Sequence, residues 1–251
     1  MKDPAHSSSA LDPSAAFARR CTSIRDPKVR VSYVTHEIRE RGPEHLVELL
    51  AAAQAAAPRF PEYADLLLAM AIALSDPATA AVRREAAYVA SASGQTAIVE
   101  LLGDRDPATP DLGELRVPDF GQGRPLTLGE RKALARRRDR QLLERVLRDP
   151  HPGVISILLE NPSLTEPDVV RLAASRPIDP AALTEIFRNP RWAVRYPVRR
   201  ALVQNPYCPL ELALRMVPLL NASDARSFAA APSLRTPIRE ACARATRPTL
   251  Q

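Results

Sequence analysis

The sequence predicts an all-α protein built as an α-solenoid, in which helical repeats pack side by side. Three observations favour this fold class. The 251 residues include 25 prolines but only 8 glycines, a balance typical of helices that begin at proline and not of sheets turned by glycine. Proline repeatedly follows Asp or Asn, two residue types that cap helix N-termini. Short segments also recur at fixed offsets, which indicates a repeat architecture.

Composition narrows the class of protein further. With 45% apolar and 25% charged residues, the chain is typical of a folded globular protein. No window approaches the roughly 18 apolar residues of a membrane span, and residues 1–13 lack the pattern of a secretory signal. Cys21, Cys208 and Cys242 lie far apart, which excludes a disulfide framework and a paired-cysteine metal site. We therefore expect a cytoplasmic protein.

The first hundred residues predict a flexible arm followed by paired helices. Residues 1–25 include a serine run and are predicted to be a flexible N-terminal arm. Residues 26–103 are predicted to form helical repeats. Asp26-Pro27 and Asp76-Pro77 each open a helix, because the carboxylate caps the first turn and proline loses no hydrogen bond there. Gly42 ends the first of these helices.

The middle of the chain holds one apolar helix, one irregular segment and one basic helix. Residues 61–74 are apolar nearly all round, which predicts a central, buried helix. Residues 104–126 are rich in Pro and Gly and are predicted to be a domain linker or, alternatively, a partner-binding loop. Residues 127–149 carry an apolar stripe and many arginines, which predicts one long basic amphipathic helix of about 33 Å.

Residues 150–251 contain internal repeats. Leu158-Leu-Glu-Asn-Pro162 returns 44 residues later as Leu202-Val-Gln-Asn-Pro206. The segment Pro-Ser-Leu that begins at Pro162 also recurs at Pro232, 26 residues beyond the 44-residue offset. Such periodicity predicts units that bury their apolar faces against one another.

Two local patterns resemble known helical-repeat families. Asp26-Pro-Lys-Val-Arg30 and Asp76-Pro-Ala-Thr-Ala-Ala-Val-Arg83 resemble HEAT repeats, although the second copy has extra residues before its Val-Arg pair. The segment from Asn161 to Ala173 resembles the leucine-rich repeat variant of bacterial proteins. That resemblance implies short 3₁₀ turns alternating with α-helices, with Arg191 to Arg195 as one such turn. Both resemblances imply a binding scaffold and neither implies an activity.

The charge is unevenly distributed. The net charge is +6 at pH 7, with an acidic excess in residues 1–126 and a basic excess in residues 127–251. A basic second half favours an acidic partner, either a protein surface or a nucleic acid. Nearly all the basic residues are arginines, and a GC-rich genome would produce the same bias without any binding function.

A search for catalytic chemistry finds little. The sequence contains no nucleophile-elbow, zinc-protease or phosphate-loop motif. His36 and His45 lie on adjacent predicted helices, but no third metal ligand accompanies them. Glu166 and Asp168 stand at a predicted helix start, where acidic residues complement the helix dipole. We expect no catalytic residues, no metal and no cofactor.

One cluster of candidate binding residues remains. Trp and Tyr, surrounded by Arg, are the residue types of interface hot spots, and a guanidinium stacked on an aromatic ring also binds phosphate or a base. The cluster consists of Arg191, Trp192, Arg195, Tyr196, Arg199 and Arg200. Alternatively, the tryptophan fills the core and the arginines bridge neighbouring repeats. Arg136 and Arg140 are candidates on the basic helix, unless that side is merely a solvated face.

The sequence thus predicts a non-enzymatic scaffold that binds a protein partner with an acidic surface. The alternative is a nucleic-acid-binding helical-repeat protein that uses the basic C-terminal half. A version of that alternative would resemble the HEAT-like DNA alkylpurine glycosylases, which use aromatic residues and an acid within a basic concave groove. The single tryptophan and the 4% aromatic content count against this enzyme.

Overall fold

The computed structural model describes residues 13–103, 111–121 and 123–246. These residues form α-helices and two short 3₁₀ helices, with no strand among them, so the all-α prediction is confirmed. The α-helices are α1 Pro13–Ser23, α2 Pro27–Ala56 (kinked at Gly42, where φ is +82°), α3 Pro61–Ala73, α4 Ala80–Ala92, α5 Thr96–Leu102, α6 Leu128–Ala135, α7 Arg140–Val146, α8 Pro152–Leu159, α9 Glu166–Ala174, α10 Pro180–Arg188, α11 Pro190–Ala193, α12 Tyr196–Gln204, α13 Leu210–Met216, α14 Ala222–Ala230 and α15 Thr236–Ala245. The 3₁₀ helices are Pro77–Thr79 and Val217–Leu219.

Helix starts follow the capping chemistry that the sequence predicts. The Asp26 carboxylate accepts a hydrogen bond from the Lys28 N–H at 2.7 Å, and Asp179 accepts one from the Ala181 N–H at 2.8 Å. In each case proline is the first helical residue. The cap satisfies one of the N–H groups that the first turn leaves without a partner.

The predicted flexible arm over residues 1–25 is wrong in its second half. Residues 13–23 form α1, while residues 1–12 lie outside the described part of the chain. Phe17 and Cys21 are one helical turn apart and buried, and the Phe17 ring stacks on Tyr33 of α2 with 5.5 Å between ring centroids. This packing holds α1 as a helix.

The single long helix predicted over residues 127–149 is also wrong. The structure has two helices, α6 and α7, separated at residues 136–139. The Asp139 side chain accepts hydrogen bonds from the first N–H groups of α7. The buried amide of Asn161 donates to the carbonyl oxygens of Ala135 (2.8 Å) and Arg137 (2.7 Å) at the end of α6. A continuous helix would need those carbonyl groups for its own hydrogen bonds, so the two asparagine contacts favour the break.

The C-terminal end of the Pro/Gly-rich segment packs against the folded core. Residues 104–110 and residue 122 lie outside the described part of the chain, and residues 111–121 and 123–126 contain no helix. Phe120 is buried in the core formed by the second half of the chain. This side chain therefore anchors the segment next to α7.

Helix α3 is common to both hydrophobic cores. Leu66, Leu67 and Met70 belong to the core of the first half, whereas Leu68 and Ile72 belong to that of the second half. The sequence predicts a buried helix over residues 61–74, and the structure places it at the junction. The two halves therefore pack directly on one another through α3.

A buried arginine also joins the two halves. Arg215 of α13 is 3% exposed, and its Nε donates a hydrogen bond to the Leu101 carbonyl oxygen of α5 at 2.8 Å. A second nitrogen of the guanidinium lies 3.4 Å from the Gly103 carbonyl oxygen. These carbonyl groups lie at the C-terminal end of α5, where the helix dipole favours a cation.

Residues that are 44 positions apart in the repeated sequence make equivalent hydrogen bonds. Asn205 donates to the carbonyl oxygens of Ala173 and Ser175, just as Asn161 does for the end of α6. Each of these asparagines also accepts a hydrogen bond from the N–H two residues later. Arg191 and Arg235, again 44 residues apart, donate to the carbonyl oxygens of Leu164 and Cys208, which are themselves 44 apart.

Candidate functional site

The tryptophan of the predicted cluster lies inside the protein. Trp192 is 3% exposed and belongs to the core of the second half. Its indole N–H donates a hydrogen bond to the Leu159 carbonyl oxygen at 2.8 Å. The side chain is therefore not exposed for partner binding, which contradicts its prediction as an interface anchor and fits the alternative of core packing.

Two arginines of the cluster serve the same internal packing. The Arg191 guanidinium lies 4.4 Å from the centroid of the indole ring and donates to the Asn161 carbonyl oxygen at 3.2 Å. Arg199 donates to the Ala193 carbonyl oxygen at 2.7 Å, and burial lowers the pKa of its guanidinium. Both side chains connect successive helices in the manner of structural bridges.

Of the other members of the cluster, Arg195 and Arg200 are exposed and Tyr196 is half-buried, and all three contact acidic neighbours. The Arg195 guanidinium is 3.7 Å from the Glu166 carboxylate. The Tyr196 hydroxyl donates to the Asp224 carboxylate at 2.6 Å, and Arg200 lies 3.1 Å from the same carboxylate. The six predicted residues are neighbours, yet the structure does not bring them together as one free cationic patch.

The predicted residues on the basic segment differ from one another. Arg140 of α7 holds both carboxylate oxygens of Asp168 of α9 at 2.6 Å and is also paired with Glu144. Arg136 lies in the break between α6 and α7, where it is exposed and donates to the Lys132 carbonyl oxygen at 3.2 Å. Arg140 therefore joins helices, whereas Arg136 presents its charge to solvent.

Asp168 is the charged centre of this ion-pair network. Its side chain is 4% exposed, and it accepts hydrogen bonds from the Thr165 hydroxyl and backbone N–H. The hydrogen bonds from Arg140, followed by those from Thr165, hold the pKa of this carboxyl well below its usual range despite burial. The carboxylate therefore stabilises the folded state in its charged form.

We expect Asp168→Asn to lower the free energy of unfolding at neutral pH by about 1–2 kcal/mol, because charge-assisted hydrogen bonds are lost. The folded-state pKa is depressed, so the stabilisation is complete above the unfolded pKa of about 4. It is lost as the pH falls through the folded-state pKa. Urea unfolding should therefore show the difference between the protein and the variant shrinking between about pH 5 and pH 2.

Asp139→Asn is the control for this prediction. Asp139 is an exposed cap of α7, and asparagine keeps a capping oxygen. This variant should stay within about 0.5 kcal/mol of the unsubstituted protein at neutral pH. A stability difference for Asp168→Asn that stays constant with pH would contradict the assigned role of its charge.

Two exposed arginines that the sequence analysis did not single out line a surface depression. The depression has a volume of about 540 Å³ and lies between α7 and residues 116–121. Among its lining residues are Arg116, Val117, Asp119, Gly121, Arg145 and Arg148. Arg145 and Arg148 are exposed, and within the described part of the chain no carboxylate forms an ion pair with either. Their three-residue spacing on the helix predicted over residues 127–149 was the available sequence signal.

The backbone at Gly121 approaches Arg145 closely. A Cβ atom at this position would lie 2.9 Å from the Arg145 Nη1 atom, and the residue has a φ of +73°. Only glycine adopts that conformation routinely. Gly121 therefore allows residues 116–121 to pass beside the guanidinium.

A smaller depression of about 180 Å³ adjoins the larger one at Arg148. It lies between α7 and α9 and is lined by Glu144, Leu147, Arg148, Arg171, Leu172 and Ser175. Glu144 is paired with Arg140 and Arg171, and both arginines lower the pKa of its carboxyl. Its negative charge is therefore compensated within the protein.

The described residues offer few other reactive groups. Residues 13–103, 111–121 and 123–246 contain no group of three His, Cys, Asp or Glu side chains arranged to hold a metal. Burial raises the pKa of the Cys21 and Cys242 thiols to about 11 and of the Cys208 thiol to about 12. Thiols at such pKa values are poor nucleophiles at neutral pH.

No single helix in the described part of the chain has both the length and the apolar character needed to cross a membrane. The bent pair formed by Pro61–Ala73 and Pro77–Ala92 meets these criteria jointly, by length and composition.

Comparisons of the chain with protein-family models, with curated proteins and with solved structures find no match.

Proposed function

We propose that this chain is a non-enzymatic helical-repeat scaffold of the cytoplasm that binds an acidic protein partner. The proposal treats the helices as an α-solenoid. Contacts between α6 and α8, between α8 and α10, and between α9 and α12 support this arrangement, because stacked repeats bury their apolar faces against their neighbours. The equal hydrogen bonds of Asn161 and Asn205 also support it.

The observation that carries the proposal is the contrast among the arginines. Most of the arginines near the second core are used internally, as in the ion pairs of Arg140 and the carbonyl contacts of Arg191. Arg145 and Arg148 are exposed beside an open depression and lack an ion pair within the described chain. A guanidinium binds a carboxylate through two parallel hydrogen bonds, so this pair suits an acidic protein surface.

Nucleic acid is the second candidate, and one observation favours it. Arg136, Arg137 and Arg138 are consecutive and exposed in the break between α6 and α7, close in sequence to Arg145 and Arg148. Single-stranded nucleic acids, however, bind to aromatic stacking platforms. The lining of both depressions contains no aromatic residue among those described, and Trp192 is buried. These features favour the protein partner.

The proposal is tested by charge reversal. We expect Arg145→Glu combined with Arg148→Glu to weaken binding of a fluorescein-labelled, glutamate-rich peptide by at least about tenfold in an anisotropy titration at low salt, because attraction becomes repulsion. The effect should diminish at high salt, since screening already weakens contacts between exposed charges. A single-stranded oligonucleotide of the same charge is titrated in parallel, and tighter binding of the oligonucleotide than of the peptide would indicate a nucleic-acid partner.

The matched control is Arg39→Glu combined with Arg84→Glu. Both arginines are exposed on helices of the first half, and the net charge of the chain changes equally. This variant should lose much less peptide binding than the double variant of Arg145 and Arg148, because neither Arg39 nor Arg84 lines a depression and the long-range effect of net charge is the same in both variants. Absence of peptide binding, or an equal loss in both variants, would refute the proposal, and preferential oligonucleotide binding would favour the second candidate.

A further inference from the structure

Both depressions are lined by arginines together with apolar side chains. We call these depressions together the basic groove, since Arg148 lines both. Arg116 and Arg145 line the larger depression, and Arg171 lines the smaller one. Of the apolar lining residues, Val117 is 47% exposed, while Leu147 and Leu172 are largely covered.

The smaller depression has the dimensions of an apolar side chain. Its volume of about 180 Å³ is close to that of a cavity that accommodates benzene, about 150 Å³. Leu147 and Leu172 contribute its apolar lining, and Arg148 and Arg171 border it. A ligand that extends beyond Arg148 can therefore bury an apolar group while its charges stay beside guanidinium groups.

Two acidic side chains limit the ligand further. Asp119 lines the larger depression and accepts a hydrogen bond from the Gly121 N–H at 2.7 Å. Glu144 lines the smaller one. A uniform row of phosphates would meet both carboxylates, whereas a peptide can place uncharged residues opposite them. Complementarity of charge therefore favours a peptide with spaced acidic residues.

We infer that the basic groove binds an extended acidic segment of a partner protein, with carboxylates on Arg145 and Arg148 and one apolar side chain between Leu147 and Leu172. This inference rests on the proposed function and specifies the chemistry of the partner. The arginines attract the segment, and the smaller depression selects for the apolar residue. An apolar side chain removed from water there adds affinity in proportion to its buried area.

The test compares two labelled peptides of equal length and charge with the full chain. One peptide contains a leucine among spaced glutamates, and the other has glycine in place of the leucine. We expect the leucine peptide to bind about tenfold more tightly in anisotropy titrations, as partial burial of one leucine side chain predicts. A peptide of the same length and charge whose glutamates are consecutive should bind no more tightly than the glycine peptide.

A variant that fills the smaller depression isolates its contribution. Ser175 ends α9 and its hydroxyl donates to the carbonyl oxygen four residues earlier. Ser175→Phe should remove the preference for leucine and leave binding of the glycine peptide within about twofold, because the arginines are unchanged. Ser93 ends α4 with the same hydrogen bond to the fourth preceding residue, so Ser93→Phe is the matched control and should retain the preference.

The outcomes separate this inference from the proposed function. Suppose that the two peptides bind equally and that the Arg145→Glu, Arg148→Glu double variant binds neither. That result would overturn the apolar site of the basic groove and would support the acidic partner. Failure of both peptides to bind would overturn both. A persisting leucine preference in Ser175→Phe, with circular dichroism showing a folded variant, would also overturn the site. Should that variant unfold, Ser175→Leu provides the same obstruction with less added volume.

Discussion

Arg215→Leu is expected to lower the free energy of unfolding by about 3–5 kcal/mol. The substitution removes the buried guanidinium that donates to the Leu101 carbonyl oxygen and approaches that of Gly103. Both carbonyl groups belong to the end of α5, and a leucine cannot donate a hydrogen bond to either. Urea unfolding followed by circular dichroism measures the difference directly.

An exposed arginine that contacts the same helix, α5, provides the control. Arg244 of α15 also reaches α5, where it contacts both oxygens of Glu100 at 2.6 and 2.7 Å, but its side chain is 46% exposed. Arg244→Leu should therefore cost less than about 1 kcal/mol. Equal losses for the two variants would show that the buried carbonyl contacts of Arg215 do not carry the connection between the halves.

Trp192→Ala is expected to destabilise the fold by about 3–5 kcal/mol and to leave binding of an acidic peptide unchanged wherever the variant remains folded. The loss combines a cavity in the second core with an unmade hydrogen bond to the Leu159 carbonyl oxygen. Thermal melts and the peptide titration together separate core packing from an interface role.

Arg195→Glu is the control for the tryptophan variant. Its side chain is 57% exposed, and its ion pair with Glu166 is long, at 3.7 Å. We therefore expect less than about 1 kcal/mol of destabilisation. A stable Trp192→Ala variant that loses peptide binding would restore the tryptophan as an interface residue.

The sequence predicts most helix starts because capping is a local interaction. The Asp26 and Asp179 caps involve only the residues that directly follow them, so the sequence pattern predicts these helix starts without knowledge of the tertiary structure. The break between α6 and α7 depends on Asn161, which lies more than twenty residues beyond it. No periodicity in residues 127–149 reveals that contact, so a single helix was the natural prediction.

The candidate site shows the same limit. A tryptophan flanked by arginines has the composition of a hot spot, and the same composition serves a core in which Arg191 stacks on the indole. Only burial distinguishes the two. The basic groove depends on the path of residues 116–121 beside Arg145, which no local pattern specifies.

The position of α3 has a consequence for cooperativity. Because one set of its side chains completes the first core and another set completes the second, neither half retains its full packing once the other half opens. Local opening of one half must therefore raise the free energy of the other, and the two halves behave as one cooperative unit. Long repeat arrays gain and lose terminal units readily because each unit contacts only its neighbours; a chain whose two halves share one helix has no such freedom at that junction.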